Sequence, residues 1–277
     1  MTTLAEYADA RELLGNLTQR ELRGKYKRSA LGWAWSLINP LALAGMFTFV
    51  FGVVFVSKLA ATGNSSLHGI AAFPLYLLTG LLPWNFVSNG INGSIGALVG
   101  NANLVKKVYF PREILIGANV LSWTVSLLIE LAVLGAVLLA VGNIWLKFLP
   151  LIVLMIAALT VFVTGVGLLL AILNVYFRDV QHFVGIFLQL WFYATPIIYP
   201  ISLLTPHDKA LIGPIHLLTL YKLNPMTDFV EVFHQMLFQL VWPNWFELSY
   251  AIGSAFAIFA LGLFVFNKLE PRLAEEL

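Results

Sequence analysis

The chain alternates between six long apolar stretches and short connectors that carry most of its charges. About 17 to 25 apolar residues in a helix cross the hydrocarbon core of a bilayer, where a backbone must satisfy its own hydrogen bonds. The pattern therefore predicts six transmembrane helices in an all-α membrane protein. The predicted spans cover residues 37–57, 71–99, 114–141, 148–173, 182–198 and 247–266.

The second stretch is longer than one straight crossing needs, and Pro74 and Pro83 are predicted to break it into a kinked or partly re-entrant passage. Its second half places Asn89 and Asn92 among glycines spaced for close helix packing. In the third stretch, steps of three and four residues put one polar face on a single side of the helix. That face comprises Asn119, Ser122, Ser126 and Glu130. A carboxylate at this depth is costly, so Glu130 either faces a water-filled passage or is satisfied inside the protein.

Nearly fifty residues between the fifth and sixth spans are neither polar nor linker-like. Residues 210–221 are apolar but too short to cross a membrane. Residues 226–241 place one apolar stripe opposite polar side chains, and six prolines punctuate the whole segment. We predict re-entrant and surface-lying helices at the outer membrane face. The apolar stripe is formed by Phe229, Phe233, Leu237 and Leu240, and the polar side by Asp228, Glu231, Gln235 and Gln239.

The sidedness of the basic residues predicts the orientation of the chain. Of 16 Lys and Arg residues, six precede the first span, three lie in the second connector, one lies in the fourth and two follow the last span. Lys58, Lys147, Lys209 and Lys222 fall on the other side. The positive-inside rule then places both termini in the cytoplasm. The chain is predicted to be one membrane domain, with an interface segment at 1–30, six spans within 31–266 and a tail at 267–277.

Residues 4–28 are charged, with Leu13, Leu14, Leu17 and Leu22 on a shared side. This pattern favours an amphipathic helix on the cytoplasmic membrane surface, although a solvated basic flank would look similar. Trp33 and Trp35 follow as interfacial anchors.

Composition narrows the chemistry: 60% of the residues are hydrophobic, 11% are charged and none is cysteine. Disulfides and thiolate chemistry are excluded, and no P-loop, HExxH or GxSxG motif occurs. A conduit driven by a separate protein is predicted, with no nucleic-acid partner, no metal and no catalytic residue. An outer-face glycan-modifying transferase that uses His207, Asp208 or His216 is the alternative from another class.

Three motifs resemble the permease subunit of ABC exporters for polysaccharides, the family of the O-antigen, teichoic acid and galactan exporters. They are residues 22–40 (LRGKYKRSALGWAWSLINP), 104–113 (LVKKVYFPRE) and 174–180 (NVYFRDV). The resemblance implies a homodimer with two copies of an ATP-binding subunit, which holds ATP and Mg. It places the chain in the cytoplasmic (inner) membrane of a bacterium.

The resemblance also implies roles for particular residues. Residues 101–113 would be the main coupling helix, and the contacts with the ATPase would be Leu104, Val105, Lys106, Lys107, Tyr109, Phe110, Pro111, Arg112, Glu113, Arg178 and Asp179. The membrane interface and substrate entrance would comprise Arg23, Lys25, Tyr26, Lys27, Arg28, Trp33 and Trp35.

The implied cargo is an undecaprenyl-linked polysaccharide that moves from the inner to the outer leaflet. Aromatic rings suit such a cargo, because sugar C–H faces pack on them without one fixed register. The pathway candidates are Phe47, Phe51, Glu130, Trp191, Phe192, Tyr193 and Tyr199, although the same aromatic residues suit an interfacial belt. The remaining alternative keeps this architecture but exports a drug or a small lipid.

Overall fold

The computed structural model describes residues 4–25, 32, 34–47, 49–50, 72–108, 110–201, 210–212 and 215–276. The helices are α1 (Leu4–Lys25), α2 (Ala34–Phe47), α3 (Ala72–Gly100), α4 (Ala102–Lys107), α5 (Glu113–Ala140), α6 (Leu149–Tyr176), α7 (Val180–Tyr193), α8 (Leu217–Leu223), α9 (Pro225–His234), α10 (Trp245–Leu269) and α11 (Leu273–Glu276). Strands β1 (Ala210–Ile212) and β2 (Ile215–His216) form a small antiparallel pair in this otherwise helical fold. The predicted site residues outside the described ranges are Tyr26, Lys27, Arg28, Trp33, Phe51, Tyr109, His207 and Asp208.

Three helices are long and apolar enough to cross a membrane by length and composition: Glu113–Ala140, Leu146–Tyr176 and Trp245–Leu269. They match the predicted third, fourth and sixth spans to within three residues at each end. The agreement follows from uninterrupted apolar sequence, which fixes where such a helix can begin and end. Helix α2 carries a shorter apolar stretch, Leu37–Phe47, at the start of the predicted first span.

Helix α3 is continuous over 29 residues, so Pro74 and Pro83 do not divide the second stretch into two helices, and the kinked or partly re-entrant passage stays a prediction. Pro83 cannot donate a backbone hydrogen bond, yet its neighbours Leu81, Leu82 and Trp84 are at most 4% exposed. Contacts with α2, α5, α6, α7 and α9 surround the helix. Tertiary packing on several sides therefore keeps α3 helical across the proline.

Helix α7 ends at Tyr193, five residues before the predicted end of the fifth span. Pro196 accounts for the early end, because the residue before a proline disfavours helical backbone. The Thr195 hydroxyl donates to the Trp191 carbonyl at 2.8 Å and closes the last turn.

Helices α6 and α10 share the most extensive contact between any two elements. At its centre Gly165 faces Gly262, where a Cβ added to Gly262 would overlap the Gly165 carbonyl oxygen. Glycine at both positions lets the two backbones touch, which is how membrane helices gain van der Waals contact without a hydrophobic driving force.

Between residues 217 and 244 the chain forms α8, α9 and a π-helical turn, Gln235–Gln239. Asn224 caps α9, since its Oδ1 accepts from the Met226 N–H at 3.1 Å. The turn ends at Leu240, which has a left-handed φ of 58°. Phe229, Phe233 and Leu237 of the predicted apolar stripe are buried and Leu240 is half-buried. Asp228, from the predicted polar side, is buried as well.

Candidate coupling face and substrate passage

The connector between α3 and α5 contains the short helix α4. Val105 is buried, Leu104 is half-buried, and Lys106 and Lys107 are exposed. The backbone N–H groups of Leu104 and Val105 donate to the Asn101 carbonyl and join α4 to the end of α3. One face of α4 is thus anchored to the membrane helices while the basic face is available to another molecule.

Arg112 lies at the start of α5 and turns toward the end of α10. Its Nη1 donates to the Glu270 carbonyl at 2.9 Å and lies 3.9 Å from the Glu270 carboxylate. Burial, and then the neighbouring Glu113, raise the pKa of the Glu270 carboxyl, while Arg112 opposes the rise. Arg112 thus holds the end of the last long helix rather than pointing away from the chain, and sequence reasoning missed Glu270.

The connector between α6 and α7 begins at the same place. The Tyr176 hydroxyl, at the end of α6, donates to the Leu269 carbonyl at 3.0 Å. Phe177, Arg178 and Asp179 that follow are all exposed. The α3–α5 and α6–α7 connectors therefore meet at the C-terminal end of α10. We call Arg112, Tyr176, Leu269 and Glu270 the α10 tether.

The rest of the predicted coupling set divides by exposure. Phe110 is half-buried and packs against the core, whereas Pro111 is exposed. Glu113 is half-buried beside Glu270.

Helix α1 packs along α5 and buries Leu17, with Leu13 and Leu14 partly covered. The leucine side therefore faces α5, and the placement of α1 on the membrane surface stays a prediction. An Arg20 Nη2–Asn101 Oδ1 bond of 2.9 Å connects α1 to the start of α4.

Lys25, a predicted entrance residue, is held at the far end of α1. Its Nζ lies 3.3 Å from the Trp123 ring centroid and donates to Ser126 Oγ at 3.3 Å. Arg23 and Trp35 are exposed. Trp123 was missed by sequence reasoning, because only the folded chain brings α1 against the middle of α5.

The predicted pathway aromatics converge where α2 and α7 end. Phe47 lies 6.4 Å from Phe192 between ring centroids, and Trp84 of α3 lies 5.6 Å from Trp191 and 5.7 Å from Phe192. Trp191 donates its Nε1–H to Asn224 Oδ1 at 2.8 Å. The structure thus brings three predicted residues together around Trp84, which the sequence did not single out.

Tyr193 and Tyr199 lie beside this cluster. Tyr193 is 60% exposed, and the Tyr199 hydroxyl lies 2.8 Å from that of Tyr221. Tyr193 therefore presents its ring outward, while Tyr199 joins the end of α7 to α8.

Glu130 is 8% exposed and borders a crevice of about 10 Å³ between α3 and α5, room for about one water molecule. The polar groups that line the crevice are Asn85, Asn89, Trp123, Ser126 and Glu130. Asn119 and Ser122, nearer the start of α5, are buried. The predicted polar face of α5 thus opens onto the side of α3 at its Ser126 and Glu130 end.

A second polar cluster joins α9 to α3. His234 is fully buried, its Nδ1 lies 2.7 Å from Thr79 Oγ1, and its ring stacks on Tyr76 with centroids 4.0 Å apart. Burial lowers the pKa of His234 to about 3. The ring is therefore neutral at physiological pH.

Two carboxyl groups of α9 belong to the same cluster. Burial, and then Glu247, raise the pKa values of Asp228 and Glu231 to about 7.

The transferase alternative rested on other residues. His216 precedes α8 and is exposed, and His207 and Asp208 lie outside the described residues.

Comparison with known proteins identifies the class of protein that this arrangement belongs to. The profile of the ABC-2 type transporter family matches residues 12–238, so the chain belongs to that family. Together with the long apolar helices, this makes it a multi-pass protein of the bacterial inner membrane. The family is one of transport proteins, and the resemblance seen in the three motifs is confirmed.

Individual relatives align over most of the chain. The O-antigen export system permease protein RfbA of Klebsiella pneumoniae is 28% identical over 268 residues, which are 95% of this chain and 94% of that protein. RfbA of Myxococcus xanthus is 30% identical and covers 83% of this chain and 81% of its own. The polysialic acid transport protein KpsM of Escherichia coli is 23% identical, with 66% and 67% covered.

Proposed function

We propose that this chain is the membrane-spanning subunit of an ATP-driven exporter of lipid-linked polysaccharide. Two copies would combine with two ATP-binding subunits, which hold ATP and Mg, and move an undecaprenyl-linked glycan from the inner to the outer leaflet. In this arrangement the chain crosses the membrane six times with both termini in the cytoplasm.

The observation that carries this proposal is the near-complete alignment with permeases of O-antigen export. A match over 95% of the chain includes the connectors and the segment before α10, not the apolar helices alone. Apolar helices alone would align with those of many membrane proteins. The connectors carry the polar residues that are proposed to couple this chain to the ATP-binding subunit.

The geometry of α4 supports a docking role for the ATP-binding subunit. A short helix with Val105 buried and Lys106 and Lys107 exposed suits a groove on a partner protein. Movement of α4 would pass directly into α3 and α5, to which it is joined, and through Arg112 into the end of α10. Nucleotide-driven motion would thus reach three of the long helices at once.

The experiment that tests the proposal is depletion of this protein in its native host, followed by mass spectrometry of the lipid-linked glycans. We expect a finished or growing glycan to accumulate on its inner-leaflet carrier, and that glycan identifies the cargo. An unchanged glycan pool would favour export of a drug or a small lipid. An altered surface glycan without inner accumulation would favour the transferase.

Reconstitution separates the roles of the two subunits. We expect the chain alone in proteoliposomes to show no ATP-dependent transport and to gain it when the ATP-binding subunit is added. ATP-dependent transport by the chain alone would contradict the proposal that a separate subunit binds and hydrolyses ATP.

A further inference from the structure

Helix α3 carries three asparagines on one side in its central part: Asn85, Asn89 and Asn92. Steps of four and three residues return to the same side of a helix, so the three amides form one stripe. We call this stripe the amide face. It occupies the middle of a 29-residue helix, within the predicted second span, where polar side chains are rare.

The amide face is open and largely without partners in the part of the chain that the structure describes. Asn89 and Asn92 are exposed, and Asn85 is half-buried. Asn92 donates one N–H to the Ser88 carbonyl at 2.9 Å. No described residue gives Asn85 or Asn89 a hydrogen bond. Each amide can donate two hydrogen bonds and accept two, so most of this capacity is unused.

Asparagines that other helices direct at α3 behave differently. Asn119 of α5 donates to the Gly90 carbonyl and to Ser94 Oγ, both at 3.0 Å. Asn174 of α6 donates to the Ile95 carbonyl at 3.1 Å. These amides are buried and hold helices together. The amide face of α3 lacks that role, which leaves its polarity without a purpose in packing.

The amide face continues into the crevice at Glu130. Asn85 and Asn89 line one side of this crevice, and Trp123, Ser126 and Glu130 of α5 line the other. Lys25 Nζ lies over the Trp123 ring and the crevice has room for about one water molecule, so the groups left open to a sugar are the amides of α3, which pair with hydroxyls. The exposed side of α5 is instead apolar, with Ile129 at 40% and Val133 at 41% exposure.

We propose that the amide face contacts the hydroxyl groups of the glycan as it moves through the membrane. The inference deepens the proposed function and rests on it. Hydrocarbon would not satisfy these amides, whereas a hydrated glycan would. Three amides in a row offer the same hydrogen bond to successive sugars, so a moving glycan can exchange one contact for the next.

The chain contains no cysteine, so a single introduced thiol reports on its own position. The test places Asn89→Cys and Asn92→Cys in the transporter complex in native membranes, with Ile129→Cys as the lipid-facing control. A charged, membrane-impermeant thiol reagent is then added. We expect Asn89→Cys and Asn92→Cys to react roughly tenfold faster than the control, because a thiolate forms in water and not in lipid.

Purified lipid-linked glycan, in the form that accumulates on depletion, is the competing ligand. We expect it to slow labelling of Asn89→Cys and Asn92→Cys but not of Ile129→Cys. Labelling as slow as that of the control would overturn the inference. Labelling that is fast but unaffected by glycan would also overturn it. A disulfide between two copies in place of labelling would assign the amide face to a subunit contact instead.

Asn89→Ala and Asn92→Ala supply the functional measurement, with Asn→Gln at the same positions to restore the amide. We expect each alanine to lower glycan export about fivefold, the factor that one hydrogen bond is worth, and glutamine to recover part of it. Glycan stimulation of ATPase activity in the wild-type complex separates the two proposals. Its absence would contradict the proposed function, whereas its presence with full export by both alanine variants would contradict only the role of the amide face.

Discussion

Single side chains decide how α9 responds to pH. Asp228 is buried at 5% exposure, and burial followed by the charge of Glu247 raises its pKa to about 7. The folded chain thus binds a proton that the unfolded chain releases near its ordinary pKa of about 4. Stability from this group is complete below that value and is lost as the pH rises through about 7.

Replacement of Asp228 by asparagine removes this dependence. We expect wild-type protein in detergent to unfold at a lower temperature at about pH 8 than at about pH 5, and Asp228→Asn to show a smaller difference. Asp228 contributes on the order of 1–2 kcal/mol to this pH-dependent change in the free energy of unfolding, after allowance for screening by solvent. Tryptophan fluorescence during heating measures the transition. An equal pH effect in both proteins would contradict the assignment.

His234 acts in the opposite direction within the same cluster. Its pKa is lowered to about 3, so the unfolded chain takes up a proton that the folded chain refuses. Stability from neutral His234 is present above about pH 6.5 and is lost as the pH falls below it. In Asp228→Asn the loss of stability at high pH is smaller, so the loss of stability at low pH that comes from His234 should be easier to detect.

At the scale of elements, the contact of α6 with α10 depends on two glycines. Gly262→Ala would drive its new Cβ into the Gly165 carbonyl, whereas Gly253 of the same helix has open space around it. We expect Gly262→Ala to lower stability by about 1–3 kcal/mol, the usual cost of overpacking. Gly253→Ala, the matched control, should be neutral or stabilising, since alanine favours helix. Thermal unfolding of both variants checks this, and equal midpoints would argue against a close contact.

The α10 tether gives the coupling prediction. Arg112→Ala removes the bond to the Glu270 carbonyl, worth roughly 1.5–3 kcal/mol for a charged donor. We expect ATP hydrolysis by the complex to continue while glycan export per ATP falls. Lys268→Ala, an exposed lysine in the last turn of α10, is the control and should keep both activities. Unchanged export by Arg112→Ala would remove the tether from the mechanism.

At the scale of the whole molecule, the predicted topology has a direct test. Ile144 lies in the connector between α5 and α6 and is 64% exposed, and Lys107 lies on α4. We expect Ile144→Cys to react with an impermeant reagent added outside intact spheroplasts. Lys107→Cys should react only after permeabilisation. The reverse pattern would invert the orientation assigned from the basic residues.

The sequence predicted those parts of the molecule that depend on local composition. The ends of α5, α6 and α10 follow from apolar length, and the buried leucines of α1 follow from their spacing. Trp84, Trp123 and Glu270 were not predicted, because their partners lie far away in the chain. The continuity of α3 through Pro83 was missed for the same reason: packing from neighbouring helices outweighs the local cost of proline.

The touching backbones of Gly165 and Gly262 also limit where the cargo can leave the protein. Two helices whose main chains are in contact leave no gap wide enough for a lipid tail to pass between them. An exporter that hands a lipid-anchored molecule to the outer leaflet needs a gap open to the side. That gap cannot lie between α6 and α10, so a lateral exit has to lie between other helices.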